Sequence, residues 1–159
     1  MGKEVKTNAM RILDRNKISY EILNYACEEF IDGLHTAEKT GAPVEQSFKT
    51  LVMQGKSSNY YVFVVPIDKE VDLKAAARAV SEKSVEMIHV KDITKVTGYV
   101  RGGCSPLGMK KQFTTVIQED ASLYDTIYIS GGRIGTSIAL SPQDLKQAVR
   151  AEYADIILK

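Results

Sequence analysis

Histidine and cysteine are scarce in this chain, with two of each in 159 residues. Cys27 and Cys104 cannot build a disulfide framework, and such a pair fits a reducing cytoplasm. His35 and His89 are too few and too isolated for a zinc site of three or four ligands, so no metal is expected. No motif places a histidine near Cys104, which leaves that thiol without the base a nucleophile needs. A small packed thiol is the reading, and Cys27 is read the same way or as lining a pocket beside Tyr25. Net charge is scarce as well: 21 basic and 20 acidic residues give +1. That excludes a global basic field, so any contact to a polyanion must come from a local patch. No apolar run approaches the ~20 residues that span a bilayer, and Met1-Gly2-Lys3-Glu4-Val5-Lys6 has no apolar leader core, so no membrane or secretory role is expected. Gly2 invites a myristoylation reading, but Lys6 stands where that motif wants Ser or Thr.

The length suits one domain with a sizeable core. Thr7 to Asn16 reads as a helix with Met10, Ile12 and Leu13 on its apolar face. Ile18, Tyr20 and Ile22 alternate with Ser19 and Glu21 as a strand would. Asp32 caps a helix through Thr40 that Gly41 and Pro43 stop. Two runs of β-branched and aromatic residues, Phe48 to Met53 and Tyr60 to Val65, flank Gln54-Gly55-Lys56-Ser57-Ser58-Asn59 and predict a hairpin. Asp72 caps an alanine-rich helix through Val80. Val85 to Val90 reads as extended, with a helical turn from Asp92. Phe113 to Ile117, Thr126 to Ser130 and Ser137 to Leu140 read as strands. Ser141-Pro142-Gln143-Asp144 starts a helix expected to run to about Tyr153. Hairpins and helices in this mixed order predict an α+β fold.

The features that carry chemistry are two glycine-rich elements and one lysine. Gly102-Gly103-Cys104-Ser105-Pro106-Leu107-Gly108 and Ser130-Gly131-Gly132-Arg133-Ile134-Gly135 each follow a strand-like stretch, where sheets commonly present ligands. Paired glycines let a backbone come close to a ligand, with tight turns at sheet edges as the bland reading. Gly103 to Lys110 nearly matches a phosphate-binding P-loop, but Met109 holds the lysine position and no Ser or Thr follows to hold magnesium. Neither element reads G-x-G-x-x-G, so no nucleotide cofactor is expected. Lys49 stands in the apolar run Phe48-Lys49-Thr50-Leu51-Val52-Met53. Period two puts it on one face with Leu51 and Met53, where an ammonium is costly without a partner. Arg101, Lys110, Lys111 and Arg133 surround the glycine elements as a local patch for phosphate, or serve solubility alone.

Phe48-Lys49-Thr50-Leu51, Thr97 through Lys111, and Ile127-Tyr128-Ile129-Ser130-Gly131-Gly132-Arg133 together resemble the YbaK/EbsC family. Those proteins are aminoacyl-tRNA deacylases related to the editing domain of bacterial prolyl-tRNA synthetase. Asn16-Lys17-Ile18-Ser19-Tyr20 and Ala154-Asp155-Ile156 are similar as well, so the resemblance covers nearly the whole chain. It implies one editing domain over residues 1–159, built on a strongly twisted, mixed, partly barrel-like sheet flanked by helices. It implies cytoplasmic removal of cysteine misattached to tRNA(Pro), acting in trans on the errors of prolyl-tRNA synthetase, with no cofactor. The family's essential lysine falls on Lys49. Substrate-contacting positions fall on Gly102, Gly103, Ser130, Gly131 and Gly132, with Thr50 and Tyr25 at further pocket positions and Phe30 a looser match. Close relatives carry an aspartate where this chain has Ser137, which bears on amino-acid preference. Cys104 stands where the family is usually aliphatic.

The chemistry implied is substrate-assisted: the cysteinyl thiol attacks its own ester carbonyl and leaves as a cyclic thiolactone. A chain with no evident triad or metal site suits that reaction, because positioning alone can contribute roughly 7–11 kcal/mol. Backbone amides of the glycine elements are the expected donors to the carbonyl oxygen, with Lys49 orienting the ester or the terminal ribose. Two other readings stay open: a deacylase for another small amino acid such as alanine, working by water attack, and a non-catalytic module that captures aminoacyl-tRNA ends or a nucleotide-like ligand. The near-zero net charge predicts modest tRNA affinity and help from prolyl-tRNA synthetase.

Overall fold

The computed structural model describes residues 6–24, 41–101 and 103–159. Helix α1 (Asn8–Arg15) starts at Thr7, whose hydroxyl accepts from the Met10 amide at 3.2 Å. It ends after Asn16, where Lys17 turns left-handed at φ 57° and the Ile18 amide reaches back to the Leu13 carbonyl at 3.0 Å. That C-terminal motif uses Ile18, so strand β1 (Glu21–Asn24) begins later than the alternation of Ile18 and Tyr20 predicts. The helix expected over Asp32 to Thr40 lies outside the described residues.

Strands β2 (Phe48–Gly55) and β3 (Tyr60–Pro66) form the predicted antiparallel hairpin, with Leu51 opposite Phe63. Helix α2 (Leu73–Ala79) is capped by Asp72, which accepts from the Lys74 and Ala75 amides. A short strand β4 (Val85–Met87) pairs with the end of β2, and α3 (Ile93–Thr97) follows. Strands β5 (Thr114–Gln118), β6 (Ile127–Arg133) and β7 (Thr136–Leu140) precede helix α4 (Pro142–Val149). The expected extension of α4 to Tyr153 is overturned. Arg150 adopts φ 54°, and Glu152–Ala154 forms β8, which pairs in parallel with β5.

Five strands in the order β4-β2-β3-β5-β8 make a mixed sheet, and β1-β7-β6 make an antiparallel sheet of three. A single parallel bridge, Ser47 to Tyr128, joins them at the start of β2 and β6. Tyr61 through Pro66 are all buried, as expected of a strand covered on both faces. On one face Phe48, Val62, Val64 and Ile117 pack with Met10 and Leu13 of α1 and with Ile127, Ile129, Ile138 and Leu140 of the small sheet. On the other, Met53, Phe63, Val65 and Val116 pack with Ala76 and Ala77 of α2 and with Ile156. The small sheet is thus layered onto the large one through its isoleucine face, giving the expected α+β fold. Among the described residues no helix is long and apolar enough to cross a membrane.

Candidate active site

Strand β2 alternates two environments. Lys49 lies on the face of Leu51 and Met53, and Thr50 on the face of Phe48. Lys49 is half-buried, and its ammonium takes part in no hydrogen bond or ion pair among the described residues. Burial pushes its ammonium below the usual lysine pKa, opposed in part by the carboxylates of Glu70 and Asp68. The Thr50 hydroxyl is sealed from solvent with no hydrogen-bond partner. Such an orphaned group costs about 1–3 kcal/mol, a penalty that folded chains rarely carry without reason.

The parallel bridge fixes what lies beside Lys49. Two residues beyond Ser47 and Tyr128 stand Lys49 and Ser130, on the same side of their strands. Since Ile127 and Ile129 enter the core, Tyr128 and Ser130 point to the opposite face. Ser137 is directly across from Ser130 on β7 and is buried at 6% exposure. Lys49, Ser130 and Ser137 therefore share one face at the junction of the two sheets. One ladder step back, Tyr128 and Ala139 border an open cavity of about 550 Å³ that Glu21, Asp125 and Asp144 also line.

The glycine elements differ from their sequence reading. The first follows helix α3 and its left-handed cap Gly98, not a strand. In the second, Ser130 through Arg133 belong to β6, with a register shift between Ser130 and Arg133, and the turn lies at Ile134-Gly135. The two elements touch. A Cβ on Gly103 would sit 2.8 Å from the Cα of Arg133, so this glycine is required by protein packing. Gly132 has φ 100° and lies against Thr7. Their amides are also engaged: Gly103 N–H donates to the Val100 carbonyl at 2.9 Å and Gly132 N–H to the Ser130 hydroxyl at 3.2 Å.

Tyr25, Phe30 and Gly102 lie outside the described residues, as do Cys27 and His35. Arg101, Lys110 and Lys111 are exposed, and the Lys110 ammonium donates to the Lys95 carbonyl at 3.2 Å. Arg133 donates through Nε to the Thr136 hydroxyl at 3.1 Å, which in turn donates to Asn24 at 2.9 Å. Burial pushes the Cys104 thiol up to about 11, so it stays protonated at neutral pH. That agrees with a packed thiol. Among the described residues no group of His, Cys, Asp and Glu could hold a metal. Two supports escaped the sequence reading. The Thr7 hydroxyl donates to the Gly131 carbonyl at 2.6 Å, and the Tyr99 hydroxyl to the Leu107 carbonyl at 2.6 Å. Thr7 was legible as the start of a helix, but nothing in the sequence links it to a residue 124 positions away.

The chain as a whole matches a known class of domain. The family model of the aminoacyl-tRNA editing domain matches residues 34–148, and the chain belongs to that family. A curated relative from Enterococcus faecalis (strain ATCC 700802 / V583), named "Putative Cys-tRNA(Pro)/Cys-tRNA(Cys) deacylase EbsC", is 41% identical over 155 residues, 97% of this chain and 94% of its own length. This places the chain with the YbaK/EbsC proteins that its motifs resemble. The fold is shared with a solved "putative trans-editing enzyme for prolyl tRNA synthetase" at TM-score 0.83 and 22% identity, covering 98% of this chain and all of the other. A second solved structure, described only as a hypothetical protein, gives TM-score 0.86 at 20% identity over 95% of this chain and 99% of its own.

Proposed function

We propose that the chain is a trans-editing deacylase that removes cysteine from tRNA(Pro). The observation that carries this is Lys49: a half-buried ammonium with no ion pair, facing Ser130 and Ser137 in a chain of the editing family. In the reaction the cysteinyl sulfur bonds to its own carbonyl carbon and the bond from that carbon to the ribose oxygen breaks. The thiol proton ends on the ribose oxygen, and water later opens the thiolactone to free cysteine. Lys49 orients the ester and stabilises charge on the carbonyl oxygen. Tyr25, Phe30, Thr50, Gly102, Gly103, Ser130, Gly131, Gly132 and Ser137 shape the pocket. Of these, Gly103 and Gly132 act through packing, since their amides are already engaged.

Charge along β6 supports a direction of approach. The Tyr128 end borders the cavity of Glu21, Asp125 and Asp144, whereas the Arg133 end meets the segment bearing Arg101. These ends lie about 17 Å apart along an extended strand. Phosphates of the tRNA stem belong at the Arg101 and Arg133 end, with Lys110 and Lys111 beyond, and the acidic cavity repels them. With so small a net charge, prolyl-tRNA synthetase supplies the remaining affinity.

Ser137 favours one second reading, in which another small amino acid such as alanine is released by water attack. A neutral side chain stands here where the family resemblance leads one to expect a carboxylate. A panel of tRNAs charged with cysteine, alanine and proline separates the two. Cysteine release from tRNA(Pro), lost on the order of 10²–10³-fold in Lys49→Ala, is the expected result. Full activity in Lys49→Ala, or tRNA binding with no turnover on any member of the panel, would sink the deacylase reading.

A further inference from the structure

We infer that Thr7 is a positioning residue for the site: its hydroxyl locks the peptide plane between Gly131 and Gly132, and that plane holds the Ser130 hydroxyl in place on the face it shares with Lys49. The inference rests on the deacylase reading and adds to it a residue at the start of α1, outside every motif that carries the family resemblance.

The register of β6 against β7 leaves this plane without a ladder partner. Ser130 pairs with Ser137 and Arg133 with Thr136, so Gly131 and Gly132 are extra residues on the β6 side. A glycine pair in such a bulge can turn its shared peptide at little cost, because no Cβ restricts either side. The C=O of Gly131 and the N–H of Gly132 belong to that one plane and point in opposite directions. The C=O accepts from the Thr7 hydroxyl at 2.6 Å, and the N–H donates to the Ser130 hydroxyl at 3.2 Å. Turning the plane breaks both bonds together.

Packing closes the bulge from two sides. A Cβ on Gly131 would meet the Thr136 side chain at 2.8 Å, and one on Gly132 would meet the Thr7 side chain at 2.9 Å and the Tyr99 ring at 3.1 Å. Thr7 is itself held, since its Oγ also accepts from the Met10 amide at 3.2 Å as the cap of α1. A hydroxyl has one proton, and that of Thr7 is committed to Gly131. On the far side of the plane, the Ser130 oxygen receives an amide, and its hydroxyl donates to no group among the described residues. That proton is left for a ligand on the face of Lys49 and Ser137. A flipped plane would put the Gly131 carbonyl where the Gly132 N–H now stands, and Ser130 would spend its proton on the protein.

The test separates the two duties of Thr7. An aspartate caps a helix as well as a threonine does, but its ionised carboxylate only accepts and cannot donate to the Gly131 carbonyl. Thr7→Asp should keep Tm near that of the unmodified chain and lower kcat/KM for cysteine release from tRNA(Pro) about tenfold, the worth of one hydrogen bond. Thr7→Ser keeps the donor and should retain full activity. Thr7→Val, which loses cap and donor together, should lower rate and Tm alike. A merely structural Thr7 would show its effect in Tm and not in the contrast between aspartate and serine. Full kcat/KM in Thr7→Asp, or equal losses in Thr7→Asp and Thr7→Ser, overturns the inference while the deacylase reading stands. If the unmodified chain releases no amino acid from any tRNA, that reading fails instead, and amide hydrogen exchange tests the lock by itself. The Gly132 N–H should exchange about tenfold faster in Thr7→Asp than in the unmodified chain, and an unchanged rate overturns the inference.

Discussion

The two edges of β2 are built for different purposes. Toward β3 the pairing is continuous from Phe48 to Gln54, and every step from Phe48 to Met53 is backed by a buried residue of β3 from Tyr61 to Pro66. Toward β6 and β4 the strand is paired at its two ends and open at Thr50. The closed edge holds the fold together. Beside the open edge stand two groups that the fold alone does not need, on opposite faces of the strand: a half-buried ammonium without an ion pair and a sealed hydroxyl without a partner. Polar groups that cost stability and serve no internal contact mark a place shaped by a ligand.

The largest expected effect lies on the closed edge. Phe63 is fully buried opposite Leu51 and packs with α2. Phe63→Ala should lower stability by about 3–5 kcal/mol. Activity per folded molecule should stay near wild type, because Phe63 stands opposite Leu51 and not Lys49. Chemical denaturation and single-turnover deacylation on the same sample check both halves. A mutant of normal stability, or a folded mutant of lost activity, would break the division between the edges.

Gly103→Ala tests the contact between the two glycine elements. Its Cβ would meet the Arg133 backbone at 2.8 Å to 2.9 Å, which no side-chain rotation relieves. The expected cost is about 1–3 kcal/mol, with loss of tRNA affinity as Arg133 shifts. Unchanged Tm in this variant would mean that the close approach is not held in solution.

The sequence made the local parts of this structure legible. The hairpin follows from two β-branched runs around Gly55, α2 from an alanine run behind Asp72, and the start of α4 from Ser141-Pro142. It misled where distant partners decide. Glu152–Ala154 looks like the tail of a helix, yet pairing with β5 outweighs that preference. Gly131 and Gly132 look like a loop after the strand, but opposite β7 they continue it through a register shift. In the site, Lys49 stands out as one charge in an apolar run. Thr50 does not stand out by pattern, because its buried and unpartnered hydroxyl depends on what packs against β2 from far along the chain. Among the described residues the glycines were legible as close approaches, but at Gly103 and Gly132 the approaching group is the protein's own.

The smallest expected effect is a pH dependence of Lys49, and it separates the cost of this residue from its use. Burial lowers the pKa of Lys49 in the folded chain below the ordinary 10.5, while Glu70 and Asp68 pull the other way. In the window between the lowered folded value and 10.5 the unfolded chain binds more protons, so stability rises with pH there. Lys49→Met removes this term. It should match or exceed wild type in Tm at neutral pH, and its advantage should shrink as pH climbs toward 10.5. If the ammonium is the working form, wild-type kcat relative to spontaneous ester hydrolysis should fall over that same window. Removing a carboxylate with Glu70→Gln should move the fall to lower pH, because one of the two groups that support the charge is gone. A rate ratio that stays flat through pH 10.5 would show that the lysine charge takes no part in the chemistry.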